Sequence, residues 1–262
     1  MPEPDPVSLV THDRVRLDGA LYRSGAPSAP SAGVVLVHGF TGSASADGIR
    51  AVASRLARRF HVLALTLRGH GRSGGLCTLG DREDADLDAA VAWLRSAGVA
   101  RVATVGFSFG GAVVLRQAGL AAGTGRAPDA VVSVSAPSRW YIRDTPVMRQ
   151  LHWAAETAAG RALLRAGRRA RLSNGWAGVP TSPLELVDRI PPTPLLVVHG
   201  DADHFFPVEH AFALAAAAGG NGACEVWLER GFGHAEQAVS PQLTARVGDW
   251  LDVALSSGPC CM

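Results

Sequence analysis

Three side chains in this sequence have the types, and come in the order, that activating a hydroxyl for attack on a carbonyl requires: Ser108, a carboxylate at Asp201 or Asp203, and His234. Ser108 stands in Gly106-Phe107-Ser108-Phe109-Gly110, after the apolar run 102–105 and before the small-residue stretch 111–115. Gly-x-Ser-x-Gly forces a sharp strand-to-helix turn, and the glycines leave room for a serine in a strained backbone conformation with its hydroxyl out over the sheet edge. A helix starting at Phe109 also aims its first amides at any oxyanion forming beside Ser108.

Each residue type answers a chemical need. A serine hydroxyl is a poor nucleophile at neutral pH, so a base must take its proton during attack. Imidazole titrates near neutrality and serves as both base and acid, which is the role open to His234. A carboxylate must then fix the imidazole tautomer and stabilise the imidazolium. Asp201 and Asp203 share one loop after the apolar run 195–198; the other reading of Asp201 is a turn residue bonding backbone amides. His234 lies in Gly231-Phe232-Gly233-His234-Ala235-Glu236, a glycine-rich loop after the strand-like segment 224–228. Both loops are expected at strand ends on one edge of a parallel sheet, where ligands bind in open α/β folds.

A second backbone element supports the serine. Residues 34–37 read as a buried strand that runs into His38-Gly39-Phe40-Thr41-Gly42, a glycine-flanked turn with exposed amides. The expected oxyanion hole takes one amide from the residue after the nucleophile, Phe109, and one from this earlier loop, Phe40. His38 is expected to prop the loop, because His234 already fills the base position.

His38-Gly39-Phe40, Arg68-Gly69-His70-Gly71-Arg72-Ser73, the segment around Ser108, His199-Gly200-Asp201-Ala202-Asp203 and Gly233-His234 together resemble the α/β-hydrolase superfamily over residues 34–255, most of all its esterase, lipase and serine-aminopeptidase-like branch. The chain order serine, acid, histidine is that of the superfamily. Its pattern His-Gly-x-x-Asp places the acid on Asp203, and the Arg-Gly-His-Gly-x-Ser segment is mainly architectural there. Epoxide hydrolases and haloalkane dehalogenases of this fold carry an Asp where Ser108 stands, which disfavours those chemistries. The lipase-type His-Gly-Gly-Gly loop is absent. The resemblance implies a serine hydrolase of the carboxylesterase type, cleaving small to medium acyl esters through an acyl-enzyme on Ser108. The alternative keeps the triad and takes a coenzyme A or carrier-bound thioester, and a third reading is a ligand receptor that retains the fold.

Composition narrows the classes further. A chain of 262 residues, 47% hydrophobic and 18% charged, is long enough for one α/β domain with a filled core. A net charge of +2 argues against nucleic-acid binding. There is no lysine, which removes Schiff-base chemistry and any Walker-type phosphate loop. The nine histidines and four cysteines form no metal-ligand spacing, and the pattern calls for neither metal nor cofactor. The first residues lack basic and apolar signal regions, so the reading is a reduced, cytoplasmic protein with no membrane partner.

The elements that must position these residues follow a βα rhythm. A hairpin is expected over 7–12 and 15–22, then a linker over 24–33. Strands are expected before His38, over 61–67, before Ser108, over 130–134, before Asp203 and before His234. Helices are expected over 47–59, 83–96, from Phe109 to 120, over 209–218 and closing at 255. Such alternation predicts a mostly parallel central sheet with helices on both faces. Residues 1–137 and 191–262 would form this core and 138–190 a small helical cap, with a disordered tail from 256.

The cap carries helical signals over 148–159 and 162–172, and it holds four of the chain's eight Trp and Tyr residues. Trp140, Tyr141 and Trp153 are candidates for lining an apolar acyl or aryl pocket; otherwise these aromatics glue the cap to the core. Arg161, Arg165 and Arg169 recur every four residues, with Arg168 and Arg171 beside them, as a basic stripe on one cap helix. That is a solvated face, or a surface suited to an anionic substrate, a coenzyme A phosphate or an acidic carrier protein.

Overall fold

The computed structural model describes residues 3–25, 32–167, 169–219 and 224–256. Eight strands, β1 (Asp5–Val10), β2 (Arg16–Tyr22), β3 (Ala32–Val37), β4 (His61–Thr66), β5 (Arg101–Phe107), β6 (Ala130–Val134), β7 (Leu195–Gly200) and β8 (Cys224–Glu229), form one sheet in the order β1-β2-β4-β3-β5-β6-β7-β8. The β1–β2 and β2–β4 pairs are antiparallel and the remaining pairs parallel. The helices are α1 (Asp47–Leu56), α2 (Asp84–Ser96), α3 (Phe109–Ala121), α4 (Pro146–Glu156), α5 (Ala158–Ala166), α6 (Glu209–Ala217), α7 (Ala235–Ala238) and α8 (Pro241–Ser256).

Strand alternation splits the core in two. Val35, Val37, Leu63, Leu65, Val131 and Val197 face one side and pack with Leu87 and Val91 of α2, Val113 and Val114 of α3 and Leu214 of α6. Their sequence neighbours Val34, Leu36, Val62, Ala64, Val132 and Val198 face the other, against Ile49 and Val52 of α1 and Val247 and Leu251 of α8. A strand buried on both faces is apolar at most positions, which is why β3 through β7 read as largely aliphatic runs rather than alternating ones. The parallel strands all end on one edge, which gathers the loops after β3, β5, β6, β7 and β8 together.

The span 138–190 contains α4 and α5, but its final stretch packs as part of the core. Short 3-10 turns at Pro183–Glu185 and Val187–Arg189 bring Leu186, Val187 and Ile190 into burial, and Gly119 of α3 lies directly against Leu186. The two cap helices differ from their expected bounds because Thr157 ends one and starts the other. Its backbone N–H closes α4 on Trp153 O, and its side chain accepts the Gly160 N–H at 3.0 Å as the N-cap of α5. Thr145 caps α4 in the same way, with Pro146 at the first helical position.

The expected helix over 162–172 is corrected on the same grounds. Helix α5 stops at Ala166, and residues 169–172 lie along the core, where Leu172 bridges Cys77 and the Arg171 N–H donates to Gly69 O at 2.8 Å. The basic stripe therefore does not lie on one helix. Arg161 donates to the Ala155 and Glu156 carbonyls at the end of α4, and Arg171 donates to the Gly71 and Ser73 carbonyls. Arg165 and Arg169 are exposed, and Arg168 lies outside the described residues. Residues 257–262 of the expected tail also lie outside them, whereas Ser256 is the last residue of α8. Among the described residues no helix is long and apolar enough to cross a membrane.

Candidate active site

Ser108 sits between β5 and α3 with φ 51° and ψ −119°, a left-handed conformation that costs a non-glycine residue free energy and persists only when the surroundings enforce it. The surroundings are tight. A Cβ on Gly106 would stand 2.2 Å from Gly110 O, and one on Gly110 would stand 2.4 Å from His38 O, so only glycine fits at either flank. The Ser108 N–H donates to Val134 O at 2.8 Å, tying the turn to the end of β6. Phe109 opens α3, so its amide belongs to the unpaired first turn of a helix.

The loops after β7 and β8 bring the other two residues to this hydroxyl. His234 Nε2 lies 2.9 Å from Ser108 Oγ, and His234 Nδ1 lies 2.7 Å from Asp203 Oδ2. With a carboxylate facing Nδ1, that nitrogen carries the proton and Nε2 is free to accept one from Ser108. The other Asp203 oxygen, Oδ1, accepts the Phe205 and Phe206 N–H groups at 2.8 and 3.2 Å. Burial pushes the Asp203 carboxyl up, but the hydrogen bond and charge of His234, together with these two amides, hold it below the ordinary carboxylate value. Asp201 does different work: its Oδ1 accepts the Gly231 N–H at 2.6 Å and fastens the β7 loop to the β8 loop. His199 is buried under the acid loop and donates from Nε2 to Phe206 O at 2.9 Å.

The loop after β3 abuts the serine from the opposite side. His38 is buried; its Nε2 accepts the Leu67 N–H at 3.1 Å, so its proton is on Nδ1, which donates to Gly39 O at 2.7 Å. Burial, with the neighbouring His70, lowers the His38 pKa to about 3, so the ring stays neutral. It props the loop. His70 stacks edge-on against both His38 and Phe40, at 5.1 and 5.8 Å between centroids, and its pKa is lowered to about 4 by burial. The preceding Arg68 is an architectural cross-brace, pairing with Asp86 at 2.8 Å and Asp13 at 2.7 Å. Phe40 and Phe109, the two expected oxyanion donors, come from facing loops and meet ring to ring at 6.1 Å.

Of the three aromatic candidates in the cap, Trp140 is the one placed against this group: its ring lies 6.4 Å from Phe109, and its Nε1 donates to Thr181 O at 3.3 Å. Tyr141 stacks on His152 at 5.9 Å and meets Trp176 edge-on at 5.4 Å, and both Tyr141 and Trp153 are 52% exposed on the cap.

Sequence reasoning did not single out four contributors. Phe205 stacks on the His234 imidazole at 4.1 Å, and Phe206 meets it edge-on at 5.5 Å while packing with Ile142 and Met148 of the cap. Ser135, just past β6, accepts the Ala235 N–H at 3.1 Å and supports a backbone with φ 55° beside His234. Glu236 accepts the Gly39 N–H at 3.2 Å. Each is visible as a residue next to a strand end or a triad member, but nothing local marks its partner.

Comparison with known proteins identifies the family and the fold. A profile of the alpha/beta hydrolase family matches residues 34–247. Among solved structures, the Pyrococcus furiosus esterase Pf2001 is 25% identical, with 97% of this chain and 93% of that chain covered and a TM-score of 0.74. The alpha/beta hydrolase GrgF from Penicillium sp. sh18 is 20% identical, with 98% and 100% covered and a TM-score of 0.74, which is a likeness of fold. No curated protein sequence matches the chain.

Proposed function

Because the chain belongs to the alpha/beta hydrolase family, we propose that it is a serine hydrolase of the carboxylesterase type, cleaving small to medium acyl esters through an acyl-enzyme on Ser108. The observation that carries this reading is the unbroken relay from Ser108 Oγ through His234 to the buried Asp203, at 2.9 and 2.7 Å. The 25% identity to an esterase over nearly the whole chain supports the same class.

In this mechanism Ser108 Oγ attacks the ester carbonyl carbon while His234 Nε2 takes its proton. The carbonyl oxygen becomes an oxyanion, held by the Phe40 and Phe109 amides. Collapse breaks the bond to the alcohol oxygen, which leaves with the proton from Nε2. Water then attacks the acyl-enzyme as His234 takes one of its protons, and the second collapse releases the carboxylic acid and returns the proton to Ser108. Asp203 holds the tautomer and offsets the imidazolium charge throughout. Trp140 would wall the pocket beside Phe109, with Tyr141 and Trp153 at its outer rim.

The test is hydrolysis of matched oxygen-ester and thioester series of increasing acyl length by the parent and by Ser108→Ala. Short oxygen esters are expected to turn over fastest, and the variant is expected to lose at least about a thousandfold in kcat with its fold intact. Residual activity near the parent's would sink the assignment. The thioester reading, with an acidic carrier as partner, is favoured by the exposed Arg165 and Arg169 on the cap. Reversing those two charges should then weaken turnover of a carrier-bound substrate in a salt-dependent way; unchanged kinetics would remove that reading.

A further inference from the structure

The loop that would supply the Phe40 amide is held by a carboxylate with no part in the relay. Glu236 is buried two residues past His234, and its Oε1 reaches across 197 residues of sequence to accept the Gly39 N–H at 3.2 Å. The carbonyl of Gly39 is held as well, by the His38 Nδ1–H at 2.7 Å and the Gly42 N–H at 3.0 Å. A trans peptide points its carbonyl and the following N–H in opposite directions. Pinning the Gly39 carbonyl therefore sets where the Phe40 N–H points. Gly39 itself has the freest backbone of any residue type, and only when its own N–H is pinned too are both torsions at its Cα fixed.

Glu236 is in turn confined. A Cβ at Gly48, in the first turn of α1, would stand 2.6 Å from Glu236 O, so the helix closes on it from behind. A Cβ at Gly39 would lie 3.3 Å from both Glu236 Oε2 and Ser108 Cβ, so carboxylate and nucleophile flank the same backbone atom. The bond is short of water, and a buried acceptor withdrawn from it leaves the amide unsatisfied.

We propose that Glu236 is a positioning residue for the oxyanion loop: it holds the Gly39 amide and, through the Gly39–Phe40 peptide, aims the Phe40 N–H at the oxyanion formed when Ser108 attacks. The inference rests on the roles assigned above to Ser108 and Phe40. An oxyanion donor acts on charge that develops in the transition state, so its misalignment lowers kcat and leaves KM nearly alone.

The experiment compares the full chain with Glu236→Ala, Glu236→Asp and Glu236→Gln. Two quantities are read: kinetics on a p-nitrophenyl ester, and the rate of Ser108 labelling by a fluorophosphonate, whose tetrahedral adduct also places an oxygen in the hole. Ala removes the acceptor, Asp withdraws it by one methylene, and Gln keeps an acceptor oxygen without the charge. E236A and E236D are expected to lose about ten- to a hundredfold in kcat and labelling rate with KM within about twofold, while E236Q stays within about threefold of the parent. If E236A does not fold, E236D carries the comparison. Parental kcat in E236A or E236D overturns the inference, and so does a loss in E236Q as deep as in E236A, because the acceptor oxygen would then not be what matters. A parent chain that neither turns over nor labels at Ser108 overturns the reading of the site itself, which is a distinguishable failure.

Discussion

Phe205 lies over the His234 imidazole with ring centroids 4.1 Å apart and planes 28° from parallel, while its own backbone N–H donates to Asp203. One residue thus contacts both His234 and Asp203. Phe205→Ala keeps the backbone bond and removes the ring, so the imidazole gains freedom to swing off Ser108. A roughly tenfold lower kcat is expected, with Phe205→Leu intermediate. Steady-state kinetics on one ester, with melting curves as a control for folding, decide it; equal kcat in all three proteins would show that the stack is only packing.

The two carboxylates of the β7 loop should separate cleanly. Asp203→Asn leaves the shape but presents the wrong partner to His234 Nδ1, and a drop on the order of ten-thousandfold in kcat is expected. Asp201→Asn touches only the tie to Gly231 and should leave kcat within about threefold, with some loss of stability. The reverse ranking would move the acid to Asp201.

Acid should weaken the fold as pH drops below the ordinary histidine range. His38 and His70 are fully buried with pKa values lowered to about 3 and about 4, and His210, bonded at Nδ1 to Ser138, is lowered to about 4. Unfolded, each would titrate near 6.5. Between these values the unfolded chain binds more protons than the folded one, so stability rises with pH there and falls as pH drops below 6.5. Urea denaturation from pH 7.5 to 4.5 should show that decline, and it should be shallower in His70→Asn. A flat profile across this range would contradict the buried neutral histidines.

Trp140 and the outer cap aromatics should differ in their effect on selectivity. Trp140 packs over Gly80, where a Cβ would meet the indole at 2.4 Å, and lies next to Phe109. Trp140→Ala is expected to shift the ester series toward longer or bulkier acyl groups, whereas Tyr141→Ala and Trp153→Ala should change the profile less. Ratios of kcat/KM across the series measure this, and an unchanged profile in Trp140→Ala would remove it from the pocket.

What the sequence made legible follows from how local each signal is. The turn at Ser108 needs only its own glycines and the flanking runs, and β6 was readable to the residue because Ala130–Val134 is apolar but for Ser133 and lies between Pro128-Asp129 and Pro137. The order of serine, acid and histidine could be read without knowing the fold. The bond from Glu236 to Gly39 could not, since 197 residues separate the pair and only sheet order brings the two loops together. In the cap, helical spacing of arginines continued past Gly167 although the helix did not, and Thr157 looked like an interior residue although it caps one helix and ends another. The Thr145-Pro146 pair, a start signal present in the sequence, opens α4 two residues before the expected Met148.

If Ser108 is the nucleophile, it carries the acyl group between the two halves of each turnover. The most direct measurement is acid quenching of the chain during turnover of a p-nitrophenyl ester, followed by mass spectrometry of the peptide containing Ser108. An acyl mass is expected on that peptide, absent in Ser108→Ala together with turnover; ester hydrolysis that proceeds with no adduct and survives Ser108→Ala would contradict an acyl-enzyme on Ser108.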